Sequence, residues 1–322
     1  MVKIPDSNTR EFLNTAGWGN ATCEHITGDA SARNYFRLRR DSQSAVLMDA
    51  SQNLESVAPF VQIDRHLQQL GFSAPAILAQ DDPNGLLLLE DFGDATFARL
   101  LDSQGDAEKL YTLATDVLVA LHQNPRAIPT GWRTYHPEKM LADISLFLEW
   151  CTPGISPAGR AEFQAVWREV LPPAHKVPAS LLLRDYHVAN LMFLPGRVGV
   201  RQAGLLDFQD AYQGPITYDL VSLLEDARRD VPDRFREEML ARYVDRSPAL
   251  DRKAFETSLA ILAALRHTRV LAIFERLSRH EGKPDYQKLH SPRVERLLQR
   301  ALAHPILAGV KKWMERYAEF KK

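Results

Sequence analysis

Between residues 182 and 208 the chain reads Leu182-Leu183-Arg184-Asp185-Tyr186-His187-Val188-Ala189-Asn190 and then, seventeen residues beyond Asn190, Asp207 in Gly204-Leu205-Leu206-Asp207-Phe208. The apolar runs Leu191-Met192-Phe193-Leu194 and Ala203-Gly204-Leu205-Leu206 flank Pro195-Gly196-Arg197-Val198-Gly199, a pattern that predicts a β-hairpin. A hairpin symmetric about its centre brings Asn190 and Asp207 face to face at its open end. An amide oxygen and a carboxylate there form a hard-oxygen pair that suits Mg²⁺, and through Mg²⁺ the oxygens of a phosphate. Asp185 lies five residues before Asn190. That is the spacing of phosphoryl transfer, in which a loop Asp receives the acceptor hydroxyl's proton while an Asn and a later Asp hold the metal. Each residue alone reads as a turn or cap, as most Asp and Asn do. The combination, with the hairpin and with Arg184 before the first Asp, points to chemistry.

Bulk properties set the surroundings. The chain has 322 residues, enough for two lobes that each bury a core. A composition of 45% hydrophobic and 25% charged residues is that of an ordinary globular protein. Forty basic against 41 acidic residues leave a formal charge of −1, which gives no reason to expect nucleic acid or an anionic membrane as partner. Cys23 and Cys151 are the only cysteines, too few for a disulfide framework or a cysteine-rich metal site, and a reducing cytoplasm is the expected location. Residues Met1 to Glu11 lack the apolar core of a secretion signal. The most apolar segment, Leu259 to Phe274, is interrupted by Arg266-His267-Thr268-Arg269 and is not expected to span a bilayer. A monomer is expected.

Along the chain the character changes once. Strands are predicted at Tyr35 to Arg39, Ser44 to Met48, Pro75 to Ala79 and Leu86 to Leu89. One helix lies among them, with Phe60, Ile63, Leu67 and Leu70 on a face and Gly71 as its stop. After Glu90-Asp91-Phe92-Gly93-Asp94, helical patterns dominate. Leu110, Leu113, Ala114, Val117, Leu118 and Leu121 form one stripe, closed by Asn124-Pro125. Further helices are predicted over 140–150, 161–170, 219–228, 234–243, 253–277 and 291–302. No internal repeat or low-complexity tract is present.

With this order in place, the chain resembles the aminoglycoside phosphotransferase and choline kinase branch of the kinase-like fold. Arg184-Asp185-x-His187-x-x-Asn190 and Leu206-Asp207-Phe208-Gln209-Asp210 carry the resemblance. Gly28-Asp29-Ala30-Ser31, Val46-Leu47-Met48-Asp49-Ala50, Leu88-Leu89-Glu90-Asp91-Phe92-Gly93-Asp94 and Gly214-Pro215-x-x-Tyr218-Asp219-Leu220 narrow it toward bacterial kinases of the anomeric hydroxyl of N-acetylmuramate and N-acetylglucosamine in cell-wall recycling. The resemblance implies an α+β, bilobal kinase-like fold. A small β-rich lobe over residues 1–92 would bind nucleotide, and a larger α-helical lobe over 93–322 would carry catalysis and the acceptor. It implies ATP and Mg²⁺ as cofactors and a small amino sugar as substrate. Only a dozen residues separate Asp207 from Asp219, and no Ala-Pro-Glu phrase follows, so a peptide acceptor is disfavoured.

On these positions Asp185 is the expected proton acceptor, and Asn190 and Asp207 the metal ligands. Gly28, Asp29, Ala30 and Ser31 are expected to cover the nucleotide phosphates, although most Gly-Asp pairs are ordinary turns. Glu90, Asp91 and Phe92 are expected beside adenine; Asp91 reads equally as the cap of a helix beginning near Thr96. Met48 stands where most kinases place a phosphate-pairing Lys, and a thioether cannot donate to phosphate. Arg33 and Arg37 are the candidate replacements, with solvent-facing strand arginines as the other reading. His187 is expected to orient the loop, touch the acceptor or pack as a buried His. Asp219 is expected to cap the following helix with its carboxylate toward the catalytic loop. Gln209, Tyr212, Arg266 and Arg269 are the acceptor candidates, together with the aromatics Trp132 and Trp150. The arginines match the lactyl carboxylate of a muramic acid, and salt bridges explain them as well. Transfer to an aminoglycoside or choline-like alcohol, and a nucleotide-binding pseudokinase, are the alternatives.

Overall fold

The computed structural model describes residues 7–26 and 33–318. A short helix α1 (Ser7–Thr15) precedes strands β1 (Thr22–Ile26), β2 (Asn34–Arg40) and β3 (Gln43–Asp49). Helix α2 (Val57–Gln69) follows, then β4 (Ile77–Asp81) and β5 (Leu86–Glu90). The five strands form one antiparallel sheet in the order β1-β2-β3-β5-β4. Alternation makes β2 a half-buried strand, since Phe36 and Leu38 are buried while Asn34 and Arg39 face solvent. β5 lies inside the sheet with Leu86 to Leu89 all buried, which accounts for its unbroken apolar run.

The predicted helix stop holds: α2 ends at Gln69 and Gly71 takes a left-handed φ of 88°. The expectation of a sheet with a single helix misses α1. Phe12 and Leu13 of α1, with Trp18, join Phe36, Leu38, Leu47 and Leu88 in one core. One apolar pair in nine residues is too short a pattern to reveal a helix that tertiary packing stabilises.

Helices then dominate. In chain order they are α3 (Phe97–Asp102), α4 (Ala107–Gln123), α5 (Pro137–Trp150) and α6 (Pro157–Val170). Four short strands follow: β6 (Ala179–Leu182), β7 (Leu191–Phe193), β8 (Ala203–Leu205) and β9 (Tyr212–Pro215). Beyond them come α7 (Thr217–Leu224), α8 (Asp233–Asp245), α9 (Arg252–His280), α10 (Ser291–Leu302) and α11 (Ala308–Tyr317). Strands β7 and β8 form the expected hairpin, Leu191 opposite Leu205, while β6 pairs with β9. The hairpin's connection is not a bare turn, because residues Gly199–Gln202 form a 3₁₀ turn within it.

The chain divides into two compact units, residues 1–106 with 188–211, and residues 107–187 with 212–322. The hairpin therefore belongs with the sheet. Leu205 N donates to Ser73 O and Phe193 N to Ala95 O, each at 2.7 Å, and Ser73 Oγ donates to Arg201 O at 2.7 Å. In the helical unit α9 is the central element. An 18-residue window of it has mean hydropathy 1.3, long and apolar enough to cross a bilayer, but 72% of that window is buried inside the protein. Its Ile261, Leu262 and Leu265 pack in one core with Ile144, Phe147, Trp167 and Trp313. Truncating one such aliphatic side chain to Ala costs about 2–5 kcal/mol.

Candidate active site

In the first unit the open end of the hairpin assembles Asn190 and Asp207. Asn190 Nδ2 donates to Asp207 Oδ2 at 3.3 Å, and Leu206 N donates to Asn190 O at 3.1 Å. Asp207 has φ 59°, a left-handed conformation that costs a residue with a β-carbon about 1–3 kcal/mol and turns its carboxylate out of the strand. Phe208, stacked on Phe60 at 5.1 Å between centroids, anchors the next position. Two further side chains converge on Asp207 Oδ1: Gln209 Nε2 at 2.9 Å and Arg33 Nη2 at 3.2 Å. The donor set of one carboxylate and one amide oxygen fits a hard divalent cation such as Mg²⁺. Gln209, expected at the acceptor, is buried and holds the Asp207 carboxylate.

Met48 lies on β3 opposite Tyr35 and Leu87, with no exposed surface. The structure separates the two arginines offered in place of a strand Lys. Arg33, just before β2, reaches Asp207. Arg37 is instead committed to the segment after β5, donating to Asp91 Oδ1 at 3.1 Å, Asp94 Oδ1 at 2.8 Å and Gly93 O at 2.8 Å. Asp91 also accepts from Gly93 N at 2.9 Å, so it does not cap the next helix; Thr96 Oγ1 does, accepting from Arg99 N at 3.1 Å. Glu90 accepts from Arg197 at 2.6 Å and from Ala76 N at 3.2 Å, and the Arg197 guanidinium lies 5.1 Å from the Phe92 ring centroid. Gly204 leaves room for that ring, because a β-carbon there would sit 2.7 Å from Phe92 Cδ2. Gly28, Asp29, Ala30 and Ser31 lie outside the described residues.

In the helical unit a second left-handed residue, Arg184 with φ 67°, precedes Asp185. Asp219 holds the turn, its two oxygens accepting from Leu183 N at 2.6 Å and Arg184 N at 2.9 Å. The carboxylate faces the loop as expected, but Asp219 is no helix cap: it lies inside α7, whose N-cap is Ile216. Burial pushes its carboxyl up to about 7 despite the two amide donors. Asp185 itself is only partly buried. Desolvation alone would raise its carboxyl, but Arg269, followed by His187, Arg184 and Arg266, holds it below the ordinary carboxylate range. A carboxylate ionised at neutral pH can accept a hydrogen bond from an alcohol.

His187 is buried, and desolvation lowers it below an ordinary His, so the ring is neutral at pH 7. Of the arginines on α9, Arg269 is partly exposed and Arg266 buried, its Nη1 finding no hydrogen-bond partner among the described residues. His267 between them bonds Glu225 at 2.7 Å, a residue held at about 2, against its burial, by His267, Arg236 and Arg300. Glu225 also lines a cavity of about 290 Å³ with Asp226, Arg229, Asp230, Arg293 and Arg300. The Tyr212 ring lies against two guanidiniums, Arg133 at 4.4 Å and Arg184 at 5.2 Å. Trp150 packs edge-on to His280, and the Arg133 guanidinium lies 5.6 Å from the Trp132 ring centroid.

The model of the phosphotransferase enzyme family (APH) matches residues 22–255, a span that runs through both aspartates and the hairpin. The chain belongs to this phosphotransferase family. Among its curated relatives is an N-acetylmuramate/N-acetylglucosamine kinase of Caulobacter vibrioides, 35% identical, the match covering 95% of this chain and 94% of the relative. A protein of the same name from Neisseria meningitidis is 35% identical over 84% of this chain and 81% of its own length. Among solved structures, choline kinase LicA from Streptococcus pneumoniae superposes with a TM-score of 0.66 at 13% identity, covering 91% of this chain and all 100% of LicA. The gentamicin complex of APH(2")-IIa does so at 0.63 and 16% identity, over 95% and 99%. At those identities the likeness shows the fold: a kinase-like α+β phosphotransferase.

Several supporting residues are invisible to sequence reasoning. Asp143 on α5 accepts from Arg184 Nη2 at 2.8 Å and from Tyr135 Oη at 3.0 Å, although it is 41 residues from Arg184 in the chain. Its only local signal is Lys139, one helical turn earlier, which reads as an ordinary surface pair. Arg197 looks like a turn residue until the hairpin docks and brings it to Glu90.

Proposed function

We propose that the chain is an ATP-dependent, Mg²⁺-requiring kinase that phosphorylates the anomeric C1 hydroxyl of N-acetylmuramate, N-acetylglucosamine or both, in the cytoplasm during peptidoglycan recycling. The observation that carries the chemistry is Asn190 held against the Asp207 carboxylate, its Nδ2 donating to Oδ2 at 3.3 Å, at the open end of the hairpin. The shared name of the relatives supports the acceptor. Asn190 and Asp207 would hold Mg²⁺, which when bound neutralises charge on the transferred phosphoryl group. Asp185 orients the acceptor hydroxyl and takes its proton late in transfer. Arg33 supplies the phosphate-facing cation that Met48 cannot. Gly28, Asp29, Ala30 and Ser31 cover the phosphates, and the backbone of Glu90, Asp91 and Phe92 receives adenine. His187 and Tyr212 shape the acceptor side, Tyr212 beside the Arg184 guanidinium, while Gln209 holds Asp207. Arg266 and Arg269 recognise the lactyl carboxylate. A buried guanidinium nitrogen such as Arg266 Nη1 is costly without a partner, and an incoming carboxylate satisfies it.

An ATP-consumption screen across amino sugars, aminoglycosides and amino alcohols tests the reading. Turnover with the two N-acetyl sugars, giving a product without a reducing end, is expected. Turnover only with an aminoglycoside or amino alcohol overturns the acceptor; tight ATP binding with no turnover of any acceptor favours a regulatory pseudokinase. In Arg266→Ala or Arg269→Ala, KM for N-acetylmuramate should rise about ten- to a hundredfold more than KM for N-acetylglucosamine, which lacks the carboxylate.

A further inference from the structure

Asp143 takes no part in the chemistry described above, yet three side chains converge on it. Arg184 Nη2 donates at 2.8 Å, Tyr135 Oη donates to the same oxygen at 3.0 Å, and Lys139 pairs with the other oxygen. The Arg184 guanidinium is buried with the Tyr135 centroid 5.0 Å away and that of Tyr212 5.2 Å away. Tyr135 is itself held edge-on by Tyr218 at 5.7 Å. The Arg184 backbone is equally constrained: its amide goes to Asp219, its carbonyl accepts from Ser222 Oγ at 3.3 Å, and its φ is 67°.

A guanidinium keeps its charge at any working pH, and a buried one needs a counterion. Asp143 and the adjacent Asp185 are the carboxylates that act on Arg184. The groups facing Asp185 in this unit are Arg184 and His187 on its own segment, Arg266 and Arg269 on α9, and Asp219 on α7. If Asp143 loses its charge, the adjacent Asp185 is the other carboxylate named above as acting on Arg184. We infer that Asp143 is a positioning residue for phosphoryl transfer: by holding Arg184 it fixes the left-handed turn and keeps that guanidinium from pairing with Asp185. The inference rests on reading Asp185 as the proton acceptor. It implies that a largely buried ion pair anchored on α5, outside the catalytic segment, sets how well the loop carboxylate meets an alcohol.

The test compares Asp143→Asn, Asp143→Glu, Arg184→Gln, the Asp143→Asn/Arg184→Gln double variant and Asp185→Asn in the full chain. For each, kcat, both KM values and Tm are measured. Asp143→Asn should lower kcat about ten- to a hundredfold and leave KM for ATP within about twofold. The double variant should turn over at least as fast as Asp143→Asn, because the stray guanidinium that does the harm is gone. Multiplicative losses in the double variant overturn the inference, as does a wild-type kcat in Asp143→Asn with only Tm lowered. Should Asp143→Asn not fold, Asp143→Glu keeps the charge but shifts the anchor by one methylene. Its kcat should fall several-fold with Tm near wild type, and an unchanged kcat again overturns the inference. Near-normal turnover in Asp185→Asn removes the underlying reading instead, whatever the Asp143 variants do.

Discussion

Arg184 and Asp207 both hold a left-handed backbone, at φ 67° and 59°, and they are supported in opposite ways. The Arg184 turn in the helical unit is locked by buried, fixed partners: two amides on Asp219, a carboxylate on Asp143 and a hydroxyl on Ser222. Asp207 in the hairpin unit keeps 41% of its side-chain surface exposed and has only polar side chains on its carboxylate, namely Asn190, Gln209 and Arg33. Strain persists only where the surroundings over-determine it. At the Arg184 turn buried partners do this. At Asp207 the half-exposed polar neighbours do it.

The largest expected effect tests the locked side. Asp185→Asn should lower kcat by about 10²–10⁴ while ATP binding, read by isothermal titration, stays near wild type, since the fixed turn survives the substitution. Loss of ATP binding there would make the two sides less distinct than their partners indicate. Next come the metal ligands. Asp207→Ala should weaken Mg·ATP binding more than Asn190→Ala, and added Mg²⁺ should recover more of the Asn190 variant. Water can replace a neutral amide, but Asp207 also supplies a charge. Equal Mg²⁺ dependence in both variants and the wild type would break the comparison on this side.

A smaller effect separates the two arginines of the sheet. Arg33→Ala should raise KM for ATP about tenfold with little change in Tm. Arg37→Ala should do the reverse, lowering Tm through its lost bonds to Asp91, Asp94 and Gly93 O. The smallest concerns pH. Asp64 on α2, like Asp219 on α7, is pushed by burial up to about 7 from 3.8. Each therefore binds its proton more tightly folded than unfolded, so its stabilising share is full below about pH 4 and is lost as pH rises toward 7. Asp64→Asn should flatten the fall of stability over that window, by at most about 1.4 kcal/mol per pH unit, without touching kcat. Asp219→Asn should flatten it too, but with lower kcat, because the catalytic turn loses an acceptor. Chemical denaturation at pH 5 and pH 7 reads both.

The sequence alone determined the hairpin that brings Asn190 and Asp207 together, for a physical reason. The two lie 17 residues apart, and two short apolar runs around a turn fix their register locally. The helices α4, α5, α9 and α10 were legible because their apolar stripes repeat over many turns, and β5 because four leucines in a row need burial on both faces. Tertiary structure decided what depends on distant partners. It set α1 against the sheet, turned Asp219 from a cap into the clamp of the catalytic turn, and sent Arg33 to Asp207 but Arg37 to Asp91. It also brought Asp143 to Arg184. Periodicity encodes which face of an element is buried, but not which charge on another element will meet it. That pairing is fixed only when packing removes both groups from water and leaves each with no cheaper partner.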